Sequence, residues 1–230
     1  MYIGVPFNKK KHTLELQDVG LTSLYIADCR ALAEMAGVLE RVEEQKELET
    51  RAKHYALKME ALWSDDFGAY LNYRTDVDSL STRVSPTLFY PLMAKVGDKM
   101  QSEKIMEHFY NPEEFYGEWM LPSTTRNDPT FPRQRYWKGA IWPPLNFLTY
   151  LSLRQAGYSA AATELSEKSL KLIMTEWTRK GYVSENYSAI TGTGDNTRLS
   201  SDRFHSWGAL FGIMTFIENG FLPKTEKPLE

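Results

Sequence analysis

The strongest constraint on the fold is the helical period of the apolar residues, which recurs in successive segments joined by alternately short and long connections. The predicted helices run from Asp18 to Gly37 and from Val38 to Trp63, then after Pro86, over 99–110 and 142–157, from Ser159 to Gly181, and from Asp202 to Asn219. About seven or eight helices with few strands indicate an all-α fold. Because a four-helix bundle would have short loops throughout, we predict layered helical hairpins.

The same pattern predicts which side chains are buried and where helices begin and end. The apolar stripes are Leu21, Leu24, Ala31, Leu32 and Met35 in the first helix, Ala162, Leu165, Ser169, Leu172 and Ile173 in the helix after Ser159, and Phe204, Trp207, Phe211 and Met214 in the last. Pro143 and Pro144 suit a helix start, and Ser159 is a candidate N-cap. Gly157 and Gly181 suit helix ends.

The composition excludes several classes of protein. A net charge of −3, with basic residues dispersed apart from a short NKKKH cluster, argues against nucleic-acid and membrane partners. Neither a signal peptide nor a membrane span is recognisable, which predicts a cytoplasmic protein. Cys29 is the only cysteine and is expected to be a buried helical thiol, so disulfides within the chain are excluded. The four histidines lack metal-ligand spacing, so we expect no metal and no cofactor.

The segment 110–142 has no regular period, which is unusual for a connection inside a compact domain. Its many aromatic residues argue against disorder. The run RQRYWKGAIWPPLN brings Tyr136, Trp137 and Trp142 together just ahead of a helix start. Flat indole and phenol faces pack against the C–H faces of sugars. A sugar-binding cleft is therefore one interpretation, and the other is that some of the three rings belong to the core.

A single acid lies in the loop GYVSENYSAITGTG, which follows a predicted helix end. A loop acid such as Glu185 is ordinarily solvated, so the residue types alone leave open whether it is catalytic. Tyr187 can hydrogen-bond a substrate or cover the core. His205 lies beside Trp207 in FHSWGAL, where a structural role is the simpler interpretation.

Five stretches resemble motifs of glycoside hydrolase family 63, in the same order and over nearly the whole chain: DVGLTSLYIADCRALAEMAG, LPSTTRNDP, YWKGAIWPPLN, GYVSENYSAITGTG and FHSWGALFG. The similarity is closest to mannosylglycerate and glucosylglycerate hydrolases, in a clan that includes trehalases and processing α-glucosidases. The resemblance implies an (α/α)6 barrel of six helical hairpins around a pocket. Residues 1–220 would be the C-terminal portion of this catalytic domain, with a polar tail over 221–230.

The resemblance also implies an inverting mechanism, in which a general acid protonates the leaving oxygen and a general base activates a water on the opposite face of the sugar. The glutamate of the family's E-N-Y motif is the base, which assigns that role to Glu185. The substrate-binding candidates are Tyr136, Trp137, Trp142, Tyr187 and Trp207. The expected substrate is a small carbohydrate, namely an α-glucoside or α-mannoside such as glucosylglycerate, mannosylglycerate or an α-glucosyl oligosaccharide.

The family's general acid is an aspartate in a segment resembling S-G-x-D-x-S-P, ahead of the part that aligns with MYIGVPFN. Asp18 matches a different family position, and Asp65, Asp66 and Asp128 are not assigned the role either. We therefore expect the C-terminal portion of a catalytic domain, with a barrel incomplete on its N-terminal side and no activity by itself. Its protein partner would be the missing N-terminal part or another copy of the chain.

Two other functions remain open from the sequence. The first is a non-catalytic carbohydrate-binding or scaffolding remnant of such a hydrolase. The second is a sugar epimerase on a similar helical barrel. The scattered histidines and the E-N-Y loop count against an epimerase, because such enzymes typically depend on histidine acid–base pairs.

Overall fold

A computed structural model describes residues 4–194 and 201–222 of the 230-residue chain. The contacts between residues divide it into two compact units, an N-terminal unit up to residue 105 and a C-terminal unit from residue 106 onward. Most of the predicted tail, from residue 223, lies outside the described residues. A single domain over residues 1–220 stays a prediction.

Two long helices make up much of the N-terminal unit. Helix α1, Val19–Val38, packs against α2, Val42–Met59. Asp18 Oδ1 accepts the N–H of Leu21 at 2.6 Å, so this carboxylate caps α1. The short helix α3, Tyr90–Met93, comes next, and the boundary between the units falls within α4, Lys99–Tyr110.

The strands of the N-terminal unit are two residues long and antiparallel. They are β1 Phe7–Asn8, β2 Thr13–Leu14, β3 Leu16–Gln17, β4 Trp63–Ser64, β5 Ala69–Tyr70, β6 Tyr73–Arg74 and β7 Ser79–Leu80. Strand β6 lies between β3 and β7, β1 pairs with β2, and β4 pairs with β5. The hairpin of β4 and β5 explains why the helical period breaks after Trp63.

The buried face of α1 differs from the predicted one. The predicted stripe is exposed or half-buried at Leu21, Leu24, Ala31, Leu32 and Met35. The buried residues are instead Val19, Gly20, Ser23, Ile26, Cys29, Ala33 and Ala36. Small side chains on this face let α2 approach closely, with Ser23 Oγ 3.9 Å from Met59 Sδ. Helix α1 itself carries apolar residues on several sides, so the apolar period alone predicted the wrong buried face. The Cys29 thiol is buried, as predicted.

Three helices pack together in the C-terminal unit: α5, Pro143–Gln155, α6, Ser159–Lys180, and α7, Leu210–Glu218. The Glu218 carboxylate accepts hydrogen bonds from Tyr150 Oη at 2.6 Å and from Thr163 Oγ1 at 3.0 Å. Its Oε1 also lies 3.3 Å from the Arg154 guanidinium. One carboxylate, largely withdrawn from solvent, therefore links all three helices.

The predicted helix boundaries in this unit are mostly confirmed. Pro143 and Pro144 open α5, and Gly157 and Gly181 have the left-handed φ values of +81° and +71° that end a helix. The prediction that Ser159 caps α6 is wrong: Tyr158 occupies the N-cap position, and no side chain caps this helix. The predicted α6 stripe is buried, except that Ile173 is half-buried.

The last helix begins later than predicted. A 3-10 turn over Ser206–Ala209 precedes α7. The residues before it are not helical because they pair with the loop after α6, with Phe204 N–H donating to Val183 O at 2.9 Å. Phe204 is consequently 72% exposed, whereas Phe211 and Met214 are buried as predicted.

The irregular segment ahead of α5 is ordered, and the side chain of Asn146 anchors it. Asn146 is fully buried; its Oδ1 accepts the N–H of Leu121, and its Nδ2 donates to Leu121 O and Trp142 O, all at 3.0 Å. A buried backbone N–H or C=O without a hydrogen bond destabilises the fold. The Asn146 amide gives both backbone groups of Leu121 the partners that a neighbouring strand would otherwise provide.

None of the helices in residues 4–194 and 201–222 is both long and apolar enough to cross a membrane. The cytoplasmic location stays a prediction.

We predict that Asn146→Leu lowers the free energy of unfolding by about 2–4 kcal/mol, because both backbone polar groups of Leu121 lose their partners. Urea denaturation of the 230-residue protein measures the change. The matched control is Asn127→Leu, since the Asn127 side chain is exposed; it should change stability by less than about 0.5 kcal/mol. Equal losses in the two variants would contradict the anchoring role.

Candidate active site

The loop that carries Glu185 leaves α6 at Gly181 and is pinned on two sides by backbone pairing. Glu185 N–H donates to Asp202 O at 2.9 Å, within a bridge between Ser184 and Arg203. Two residues later, Tyr187 and Ile141 exchange hydrogen bonds of 2.7 and 3.0 Å. The backbone on both sides of Glu185 is therefore fixed, which holds its carboxylate in place.

The carboxylate of Glu185 is largely withdrawn from solvent, with 9% of the residue exposed. Its Oε2 accepts a long hydrogen bond of 3.4 Å from Asp202 N–H, and its Oε1 lies 3.8 Å from His205 Nε2. Both distances are near the upper limit, the first for a hydrogen bond and the second for an ion pair. A buried carboxylate with such long contacts retains acceptor capacity for a water molecule or a sugar hydroxyl.

Tyr136 and Trp137 form the tip of a tight hairpin. Arg135 and Lys138 close it by exchanging backbone hydrogen bonds of 3.2 and 3.0 Å. Tyr136 takes a left-handed φ of +53° at the turn, and Gly139 follows with +91°. The turn leaves Tyr136 46% exposed and Trp137 half-buried, so both rings reach the surface.

Four of the five predicted substrate-binding residues lie in one aromatic cluster. Trp137 stacks on Trp142 with ring centroids 4.0 Å apart and planes 10° from parallel. Tyr136 meets Trp142 edge to face at 4.9 Å, and Trp207 does so at 5.9 Å. His205 lies against Trp207 at 4.3 Å, which connects the cluster to Glu185.

Two of the five candidates lie inside the protein. Trp142 is fully buried and its Nε1 donates to Tyr136 O at 2.9 Å, so it supports the hairpin from below. Tyr187 is also fully buried, and its hydroxyl accepts the N–H of Ser184 at 2.9 Å. Burial raises the pKa of Tyr187 to about 12. Direct sugar contact by these two side chains stays a prediction.

Glu176 is a buried acid that the sequence did not single out. It lies on α6 with no exposed side-chain area, and its carboxylate pairs with Arg179 at 2.5 Å and Lys180 at 2.6 Å. Its Oε2 also accepts the N–H of Gly194 at 3.0 Å. A Cβ at Gly194 would overlap the Ser184 side chain, so Glu176 holds this backbone against the residue that precedes Glu185.

The pKa of Glu176 reflects two opposing effects. Burial raises the pKa, but the hydrogen bonds from the two cations and from the Gly194 N–H outweigh it, so the pKa lies below its ordinary value of about 4.5. In the sequence, an acid followed by bases three and four residues later is typical of a solvated helix face. No signal in a single sequence would have revealed that this one is buried.

Two of the aspartates that the sequence leaves without a catalytic role have structural contacts. Besides Asp18 at the start of α1, Asp128 is largely buried and accepts the N–H of Thr130 at 2.7 Å and its hydroxyl at 2.6 Å. Within the described residues, no three His, Cys, Asp or Glu side chains are grouped so that they could hold a metal ion.

Several known proteins are similar to this chain. A mannosylglycerate hydrolase from Thermus thermophilus is 26% identical over 188 residues, which cover 80% of this chain and 43% of that protein. A mannosyl-oligosaccharide glucosidase from Saccharomyces cerevisiae is 26% identical over 206 residues, which cover 79% of this chain and 24% of that protein. The crystal structure of a GH63 mannosylglycerate hydrolase from Thermus thermophilus in complex with glucose superimposes with a TM-score of 0.74 at 24% identity, covering 87% of this chain and 45% of that one.

The fold class is therefore that of the all-α, (α/α)6-barrel glycoside hydrolases. The chain belongs to the family of mannosylglycerate hydrolase MGH1-like glycoside hydrolase domains, which it matches over residues 6–207. The resemblance to glycoside hydrolase family 63 is confirmed. The chain spans less than half the length of the two relatives.

We predict that Glu176→Gln lowers the free energy of unfolding by about 1–3 kcal/mol near pH 7, because Lys180 then faces a neutral amide. A carboxyl whose pKa is lowered by folding stabilises the fold above its unfolded pKa of about 4.5, and this contribution disappears as the pH falls through the folded value. The difference between wild type and variant should therefore shrink in urea denaturation below about pH 4.5.

The matched control is Glu118→Gln, since Glu118 pairs with Lys171 at 3.1 Å while both side chains are more than half exposed. Exposed pairs contribute about 0–1 kcal/mol, so this variant should stay close to wild type. A pH-independent loss of stability in Glu176→Gln would contradict the ionised state of Glu176.

Proposed function

We propose that this chain carries the general base of an inverting glycoside hydrolase, and that Glu185 is that base. The observation that carries the proposal is the Glu185 carboxylate, which is buried and backbone-fixed beside an aromatic cluster while its own contacts are long. A general base must be within hydrogen-bond reach of the water it activates, and it must not be neutralised by a tight ion pair. The contacts of Glu185 are consistent with both requirements.

The proposed substrate is an α-mannoside or α-glucoside of small size. The relatives are named for hydrolysis of mannosylglycerate and for a glucosidase acting on mannosyl-oligosaccharides, and one solved relative holds glucose. In the structure, the Tyr136 and Trp137 rings are accessible at the hairpin tip, and Trp207 is half-buried beside His205. These flat faces suit the C–H faces of a hexose.

The second carboxyl of the mechanism is part of the proposal. An inverting hydrolase needs a general acid on the leaving-group side, about 6.5–9.5 Å from the base. We assign that role to no residue of this chain. We propose that it belongs to the family's aspartate in the S-G-x-D-x-S-P motif, which does not occur in these 230 residues. On that basis, the chain by itself would activate water and yet fail to protonate a leaving group.

An α-glucosyl fluoride separates the two roles, because fluoride departs without a proton from a general acid. We predict that the 230-residue protein hydrolyses α-glucosyl fluoride, and that Glu185→Gln lowers the rate by a factor of about 10²–10⁴. Fluoride release measures the rate, and proton NMR of the first anomer formed tests inversion. An alkyl α-glucoside, whose leaving group needs a proton, should react far more slowly than the fluoride.

Glu167→Gln is the control, because Glu167 is an exposed acid on α6; its rate should equal that of wild type. Fluoride hydrolysis that survives Glu185→Gln would contradict the assignment of the base. Binding of glucose in a calorimetric titration without turnover of the fluoride would instead support a non-catalytic carbohydrate-binding protein.

We predict that Trp137→Ala weakens glucose binding roughly tenfold, because an accessible indole face is lost from the sugar platform. Isothermal titration calorimetry measures the dissociation constant. Trp177→Ala is the matched control, since Trp177 is a half-exposed indole on α6 and should leave binding unchanged. Equal affinities for wild type and Trp137→Ala would exclude Trp137 from the sugar-contacting surface.

A further inference from the structure

We propose that Gln134 is a positioning residue that sets the distance between the aromatic hairpin and the Glu185 loop. This inference rests on the proposed function, since it concerns the alignment of the sugar with the base. Gln134 lies directly before the hairpin of residues 135–138, is 5% exposed and has a left-handed φ of +44°. A non-glycine residue in that conformation is uncommon, and the buried contacts of the side chain account for it here.

The amide of Gln134 joins two segments that are far apart in the sequence. Its Oε1 accepts the N–H of Ala189 at 2.6 Å and the hydroxyl of Ser188 at 3.3 Å. Its Nε2 donates to Phe131 O at 2.7 Å, on the hairpin side. The two backbone partners fix the orientation of the amide, because an N–H requires the oxygen and a carbonyl requires the nitrogen.

The hairpin side of this link is tightly enclosed. Gly139 leaves the hairpin with a φ of +91°, and a Cβ at that position would overlap Phe131 O and crowd Gln134 Nε2. The N–H of Gly139 donates to Ser123 Oγ at 3.2 Å. The chain therefore passes directly over the amide on its way out of the hairpin, so the amide can move little without moving the hairpin.

On the other side, Ser188 and Ala189 follow Glu185 within the same loop. The backbone pairing between Ile141 and Tyr187 is a second link between the two segments, and it does not depend on any side chain. A Gln134 variant should therefore keep the loop attached at residue 187 while loosening it from residue 188 onward. The predicted effect is a change of alignment within a folded protein.

Misalignment of a base affects the chemical step more than substrate binding, because small displacements of reacting groups cost about a hundredfold in rate. In the 230-residue protein, Gln134→Leu should lower kcat for α-glucosyl fluoride by roughly 10- to 100-fold, with KM changed by less than about threefold. Gln155→Leu, at the half-buried end of α5, is the control and should leave both constants unchanged.

A second variant distinguishes positioning from general loss of structure. In Gln134→Glu, a protonated carboxyl can donate to Phe131 O and accept from Ala189 N–H as the amide does, whereas an ionised one cannot donate. Compared with wild type at the same pH, its kcat should be nearly equal at low pH and become progressively lower as the new carboxyl ionises. The charged neighbours along the segment, Arg133 and Arg135, are exposed and screened by solvent. The kcat of Gln155→Glu should show no such dependence on pH relative to wild type.

Hydrogen exchange tests the link without any need for turnover. Amide exchange of the peptide over 185–194 should be at least about tenfold faster in Gln134→Leu, with α5 and α6 unchanged. Wild-type exchange of that peptide, or wild-type kcat in an active protein, would overturn the inference, as would equal acceleration throughout the C-terminal unit. If wild type hydrolyses no fluoride while the exchange result holds, the proposed function fails and the link stands.

Discussion

The structure of the C-terminal unit depends on giving partners to the backbone of the long, mostly irregular segment ahead of α5. Buried peptide groups cannot be left without hydrogen bonds, and turns within this segment satisfy only some of them. Two side-chain amides supply further partners. Asn146 bonds both polar groups of Leu121, and Gln134 bonds Phe131 and Ala189. These contacts allow an irregular segment to lie in the interior.

The candidate active site follows from that arrangement. The aromatic hairpin and the Glu185 loop are both irregular, yet each is held by bonds to buried groups. At the end of the Glu185 loop, the charged carboxylate of Glu176 accepts the Gly194 N–H, just as the two amides bond backbone groups of the hairpin segment. Binding and catalytic residues on loops need such a rigid support, because loop backbone is otherwise mobile.

How far the sequence could predict the structure depended on the kind of signal. Helix starts and ends marked by proline and glycine were found correctly, as at Pro143 and Gly181, because the signal is local. The predicted face of α1 was wrong, since this helix carries apolar residues on several sides and the packing of α2 and α3 decides which side is buried. Glu185 was identified through its family motif. Gln134 was missed because its partners in the Glu185 loop are set by tertiary contacts, and Glu176 was missed because tertiary packing decides that it is buried.

The parallel stack of Trp137 on Trp142 has an optical consequence. Two indoles with centroids 4.0 Å apart and nearly parallel planes have strongly coupled transition dipoles. One member belongs to the hairpin and the other opens α5, so the coupling exists only while the hairpin lies against the helix start. Far-ultraviolet circular dichroism, which covers the intense indole transition, would therefore report on the packing of the hairpin against α5 through a signal intrinsic to the protein, with no added label.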